Sequence, residues 1–168
     1  MSKNTKIIIG VVSVLLPAVV ILTFLNMRDM RERLEYHVEG SFSIIAFDNR
    51  YYVSFDDLVN MATREVVSSP RGELRTFTGV ALADILGSIG ADYSAGSSLV
   101  FNSIDGFRTA ISMADALDTE NSFVVFEEDG QLLGLRGGHW EDAPFMLVMA
   151  LDPFPNRWAR YVFEIEVQ

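Results

Sequence analysis

Apolar positions follow two different patterns along the chain. The first is an unbroken run, Ile7 to Leu25 (IIIGVVSVLLPAVVILTFL), 19 residues without a charge. As a helix rising about 1.5 Å per residue it reaches about 28 Å, close to the hydrocarbon thickness of a bilayer. Lipid tolerates its Gly10 and Pro17, because breaking the helix there would leave backbone groups unsatisfied. The run is long for the apolar region of a secretory signal, and the following Asn26-Met27-Arg28-Asp29-Met30-Arg31 offers no small-residue cleavage site. The expectation is a tail over 1–6, an uncleaved transmembrane anchor over 7–25, and a charged stalk over 26–38 in which Arg28 to Glu35 continue the helix. His37 is expected to be solvated in that stalk.

From residue 39 to 168 short strand signals alternate with short helix signals. Ser41–Phe47 and Tyr51–Val53 flank an Asp48-Asn49-Arg50 turn, a hairpin pattern. Ser54, with Asp57 three residues on and an apolar stripe at Phe55, Leu58, Val59 and Met61, predicts a capped helix of two turns. Arg64–Val67 reads as a strand ahead of the breaker-rich loop Ser68-Ser69-Pro70-Arg71-Gly72. Thr76–Gly79 leads into a helix over Val80–Ile89, stopped by Gly90. Ser98–Ser103 and Phe107–Ile111 are strands around an Asp105-Gly106 turn, and Ser112, with Asp115, caps another short helix. Phe123–Glu127 and Gln131–Leu135 straddle Asp129-Gly130. Gly134–Ala143 reads as a loop; Pro144–Leu151 and Trp158–Val167 are the closing strands. Hairpins mixed with isolated helices predict an α+β domain with a mixed sheet rather than a doubly wound parallel one.

Charge sharpens this picture. Both lysines, Lys3 and Lys6, precede the anchor, and everything acidic follows it: 11 arginines stand against 23 carboxylates from residue 26 onward, a formal −12. Such a surface repels phosphate backbones and excludes nucleic acid as a partner. Cations on the two sides of the anchor balance too closely to orient it. The six-residue tail and the acidic domain behind it favour a single-pass arrangement in the cell membrane, with a cytoplasmic N-terminus and an extracytoplasmic domain. The lipid bilayer is then one partner; an envelope protein or a small molecule is the other kind. The chain has no cysteine, which removes disulfides, thiolate metal sites and cysteine nucleophiles.

The most chemically loaded stretch is Gly134-Leu135-Arg136-Gly137-Gly138-His139-Trp140. Arg136 and glycine-flanked N–H groups could grip an anion with His139 as proton donor. Equally, the glycines serve a turn that packs Trp140 and exposes His139, and without a phosphate-loop pattern this second reading leads. Two histidines and no cysteine predict no zinc site. Asp56-Asp57 and Glu127-Glu128-Asp129 lack the alternating spacing of a calcium loop. No serine has a Gly-x-Ser-x-Gly context.

Taken in order, five stretches give the chain a resemblance to the molybdopterin-binding domain of the sulfite-oxidase-like oxidoreductases. These are Phe77-Thr78-Gly79-Val80-Ala81-Leu82-Ala83-Asp84-Ile85-Leu86, Val100 to Phe107 ending in Asp105-Gly106-Phe107, the short helix over Ser112–Leu117, Ala143-Pro144-Phe145-Met146-Leu147-Val148, and Trp158–Val167. The resemblance implies the fold of that domain and raises molybdopterin as a cofactor by analogy. It also implies where the chain departs. The family's metal-ligating cysteine falls in a loop that here is Ser68 to Arg75. Its pterin-phosphate arginine falls on Met146, and the lysine before its tryptophan falls on Arg157.

The expectation is therefore a sulfite-oxidase-like domain that holds no cofactor or metal and binds a small ligand or a protein. Two alternatives are a molybdopterin-dependent oxidoreductase with a non-cysteine metal site and a structural subunit of a membrane assembly. The candidate binding residues are Ser68, Ser69, Arg71, Asp105, Arg108, Arg136, His139 and Arg157; no catalytic residue is assigned.

Overall fold

A computed structural model describes residues 3–35, 37–90 and 98–168; inside the first helix, the side chains of 3–10 and of several positions between 26 and 33 lie outside that description. The chain divides into two units, 1–36 and 37–168.

The first unit is a single helix, α1 (Lys3–Leu34), with Pro17 inside it. Among the described residues no helix is long and apolar enough to cross a membrane, so the span expected over 7–25 is not seen as such.

The described residues of the second unit hold two sheets and four short helices. In chain order these are β1 (Ser41–Ala46), β2 (Asn49–Ser54), α2 (Phe55–Asn60), β3 (Thr63–Ser68), β4 (Arg75–Ala81), α3 (Leu82–Ser88), β5 (Ser98–Ser103), β6 (Arg108–Ser112), α4 (Met113–Ala116), β7 (Ser122–Glu128), β8 (Gln131–Leu132), α5 (His139–Asp142), β9 (Met146–Met149), β10 (Ala159–Arg160) and β11 (Val162–Val167). Single 3-10 turns occur at Pro70–Gly72, Leu133–Arg136 and Pro155–Arg157. One sheet has the order β2-β1-β11-β5-β6, the other β10-β9-β7-β4-β3 with β8 beside β7. All pairs are antiparallel except β1 with β11, where Ser43 lies opposite Glu164. The mixed α+β architecture is as expected.

Local chemistry explains the elements that form alone. Ser54 caps α2 reciprocally, its hydroxyl accepting from Asp57 N while Asp57 Oδ2 accepts from Ser54 N at 2.8 Å. Ser112 does the same service for α4 through Asp115 N at 3.0 Å. Asp129 and Gly130 both take positive φ (51° and 76°), as a two-residue hairpin turn of the mirror-image kind requires. Several boundaries differ from expectation: the strand expected over Gln131–Leu135 stops at Leu132, and that over Trp158–Val167 is the two strands β10 and β11. The first hairpin turns at Phe47-Asp48 rather than 48–50. Residues 76–81 are a strand, so α3 starts at Leu82. The stretch 134–143 holds a 3-10 turn and the helix α5.

Tertiary structure decides the rest. β10 belongs to one sheet and β11 to the other, with only Tyr161 between them, and Tyr161 makes the corner at φ 56°. Its ring packs against His139 (5.5 Å) and Trp140 (4.4 Å), contacts that hold a conformation non-glycine residues seldom adopt. One apolar core draws on both sheets: Phe42 of β1 meets Phe145 edge to face at 5.1 Å, and Phe77 of β4 meets Trp158 at 5.4 Å. The β2-to-β6 sheet also carries a polar ladder. Glu164, fully buried, accepts from Arg50 Nη1 at 2.9 Å and Asn102 Nδ2 at 3.1 Å, and Arg50 Nη1 also donates to Ser43 Oγ at 2.6 Å. A carboxylate taken out of water is stable only with such partners. His37, expected in solvent, is half-buried, with Nε2 at 3.0 Å from the Asp142 carbonyl and its ring against Phe163.

Candidate functional site

An open cleft of about 540 Å³ lies where three segments meet: Pro70–Arg75, the Asp105–Phe107 turn, and Pro155–Arg160. The first segment leaves β3 through the 3-10 turn, with Arg71 at φ 58° and its N–H donating to the Pro153 carbonyl. That bond ties the first wall to the third. The second segment is shaped by Asp105, whose Oδ1 accepts from Phe107 N at 3.0 Å, and by Gly106 at φ 86°. The third is pinned by Arg157, which bonds both carboxylate oxygens of Asp152 (2.8 and 2.6 Å) and Asp115 Oδ2 at 2.9 Å.

These ion pairs move protonation in the expected directions. The Asp152 carboxylate, then Asp115, raise Arg157 above the ordinary guanidinium range, with burial opposing. The Ser112 hydroxyl, and after it Arg157, hold Asp115 below the usual carboxylate range against a burial penalty. Arg75 is raised by Glu73 and Glu128. Arginine stays charged at any accessible pH, so around neutrality these pairs fix geometry.

The charge pattern around the cleft is selective. Unit 37–168 contains eight arginines. Six pair with carboxylates: Arg50 with Glu164, Arg64 with Glu120 and Asp84, Arg75 with Glu73 and Glu128, Arg108 with Glu166, Arg136 with Glu128, Arg157 with Asp152 and Asp115. Among the described residues, Arg71 and Arg160 pair with none, and both line the cleft. Phe107, Trp158 and two prolines supply apolar wall beside them. Trp158 is held by Nε1 donating to the Met149 carbonyl at 3.1 Å. Unpaired guanidiniums beside aromatic surface suit an anion carrying a flat or apolar body. The lining contains no serine, histidine or lysine, and its two carboxylates, Glu73 and Asp105, are engaged by Arg75 and by Phe107 N.

Of the residues singled out from sequence, Arg71 and Asp105 line the cleft and Ser69 sits exposed just before its first wall. The others lie outside its lining. The Ser68 hydroxyl is buried and donates to the Ala150 carbonyl at 3.2 Å. Arg108 closes the polar ladder on Glu166 at 3.3 Å. Arg136 bonds Glu128 through side chain and carbonyl and borders a separate hollow of about 580 Å³ with Gly130–Leu132 and Leu135. His139 is exposed and Trp140 buried, with Gly137 and Gly138 at positive φ, the turn geometry anticipated for that stretch. Arg157 stands behind the wall as its clamp. Missed were Glu73, Arg75, Phe107, Asn156, Trp158 and Arg160. The charges of Arg71 to Arg75 in a breaker-rich loop were the one local hint; Arg160 carries none.

Among solved structures the chain is similar to the sulfane dehydrogenase SoxCD from Paracoccus pantotrophus, an enzyme of the molybdopterin type, with TM-score 0.56 and 16% identity over 76% of this chain and 37% of that one. At that identity the likeness shows the fold alone. The chain spans little more than a third of that relative's length. No family model and no curated protein matches.

The residues of the cleft do not fit a molybdenum centre. No thiolate exists in the chain, Ser68 has its hydroxyl committed, and among the described residues no group of three or more His, Cys, Asp or Glu could hold a metal. Met146, where the resemblance puts a phosphate-binding arginine, is buried, and its antiparallel partner across β9–β10 is Arg160.

Proposed function

We propose that this protein is a membrane-tethered binding module of the cell envelope whose cleft takes a small organic anion, without molybdenum chemistry. One observation carries the reading. In a domain with far more carboxylates than cations, the two arginines that pair with no carboxylate among the described residues are two that face one cleft. Leaving a guanidinium unpaired in so acidic a protein forgoes easy neutralisation, which makes sense where an incoming anion supplies it. Arg160 adds support, since it puts a cation one strand over from the position held by Met146. The anchor rests on the 19-residue uncharged run of the sequence, and the acidity of the domain favours the extracytoplasmic side.

The test uses the full chain in mild detergent, made in a host that synthesises molybdenum cofactor. Calorimetric titration with phenyl phosphate, and with phenol as the uncharged control, reads the cleft; elemental and pterin analysis reads the cofactor. One equivalent of phenyl phosphate bound, phenol ignored and no stoichiometric molybdenum are the expected results. Stoichiometric molybdenum with pterin overturns the reading. Leu74 (73% exposed) and Phe154 (56%), next in sequence to the lining residues Arg75 and Pro155, favour a second reading in which the anion belongs to a protein partner. Co-purification of a protein from the native membrane, lost on adding phenyl phosphate, distinguishes it.

A further inference from the structure

Arg75 is held on its two sides by carboxylates of opposite character. On the inner side Nη1 donates to Glu128 Oε1 at 2.9 Å, and the Glu128 side chain is only 8% exposed. Glu128 is fixed in turn by Arg136, which bonds both its carboxylate and its main-chain carbonyl. On the outer side Nη2 donates to Glu73 Oε2 at 3.1 Å, and the Glu73 side chain is 73% exposed. Glu73 lines the same cleft as Arg71 and Arg160. One face of Arg75 is thus locked, and the other is closed only by a mobile-length, solvated side chain in an ion pair of a kind that contributes little.

We propose that Glu73 is an internal occupant of the anion subsite, and that a ligand oxyanion binds by displacing it from Arg75. This deepens the binding reading above and rests on it. The exchange balances charge: a carboxylate leaves the guanidinium for water and an oxyanion replaces it, with no proton or bond transferred. The incoming group gains over Glu73 because it can be shared with Arg71 or Arg160, neither of which Glu73 engages. Glu128 and Arg136 are positioning residues, since they keep the Arg75 fork in place while its outer partner changes. The ligand class follows: an oxyanion with at least two acceptor oxygens, such as a phosphate, sulfonate or carboxylate, favoured over a monodentate halide.

The experiment compares Kd for phenyl phosphate, by calorimetry on the full chain, in wild type, Glu73→Gln and Glu65→Gln. Glu65 is exposed on β3, outside the cleft lining, so it removes the same charge without the same position. Glu73→Gln is expected to bind about three- to five-fold tighter, the range set by losing one exposed ion pair, while Glu65→Gln stays within experimental error of wild type. Equal affinities for wild type and Glu73→Gln overturn this inference alone. Equal tightening by both variants also overturns it, because the effect is then net charge. No binding by any of the three defeats the reading on which it rests, a separate outcome.

Discussion

Two glycine-to-alanine changes, chemically identical, are expected to act in opposite directions. At Gly79, in β4, an added Cβ would lie 2.4 Å from the Val124 carbonyl oxygen and 2.6 Å from Val125 Cα. Ordinary contact begins at 3.4 Å, so β4 and β7 would have to part by about 1 Å from a spacing of about 4.8 Å fixed by their hydrogen bonds. The ladder shifts register between Thr78 and Gly79, and from there Gly79 pairs with Val125, Val80 with Val124 and Ala81 with Phe123. Overpacking at a rigid site costs about 1–3 kcal/mol, and one or two weakened ladder bonds add about 1 kcal/mol each. The entropy that alanine removes from the unfolded chain returns less than about 1 kcal/mol. The net is about 3 kcal/mol against Gly79→Ala, a fall in Tm of about 10 °C for a domain of this size. At Gly87, exposed near the end of α3, a Cβ meets nothing within 4 Å, and alanine is the better helix former by about 0.5–1 kcal/mol, a gain of about 2–3 °C. Thermal unfolding of the full chain followed by circular dichroism measures both. A Gly79→Ala melting point within about 2 °C of wild type would refute the close β4–β7 approach.

Arg136→Met is expected to leave buried Glu128 with Arg75 as its remaining ion-pair partner, lowering stability by about 1–2 kcal/mol, which thermal melts measure. Ser112→Ala removes the α4 cap and the hydroxyl that donates to the Asp115 carboxylate, for a loss of about 1 kcal/mol in denaturant titrations. Because Asp57 and Asp115 are both held below the unfolded value of 3.8, their contributions are complete above that pH and fade as pH falls through the lower folded values. Urea midpoints between about pH 2 and 5 should therefore fall more steeply for wild type than for Asp57→Asn or Asp115→Asn, the slope in each case following the protons taken up on unfolding. If the anchor holds, the full chain fractionates with membranes and resists an alkaline carbonate wash, whereas release by carbonate contradicts it.

What the sequence made legible was whatever a few neighbouring residues decide. The Ser54/Asp57 and Ser112/Asp115 caps, the Asp105-Gly106 and Asp129-Gly130 turns and the alternation in Ser98–Ser103 are local signals, and each lies where the pattern put it. The strand β4 was misread as the lead into a helix because Val80–Ile89 carries helical spacing, and only pairing with β3 and β7 holds 76–81 extended. Gly79 looked like a helix entry; its need for a missing side chain comes from Val124 and Val125, some 45 residues away. The cleft was half legible for the same reason. Arg71 and Asp105 stand in loops conspicuous by composition, but which arginines remain unpaired depends on partners such as Asp115 for Arg157 and Glu128 for Arg75, 42 and 53 residues distant. Arg136 and His139, the most suggestive pair by sequence, went to a buried carboxylate and an aromatic corner.

The unpaired arginines make a double variant that removes both positive charges, Arg71→Gln with Arg160→Gln, the most direct measurement. Titrated with phenyl phosphate beside the wild-type full chain, it should keep its fold by circular dichroism and lose at least about ten-fold in affinity, since each charged contact contributes about 1 kcal/mol or more. An unchanged Kd in a folded double variant would contradict the claim that these two side chains form the anion site.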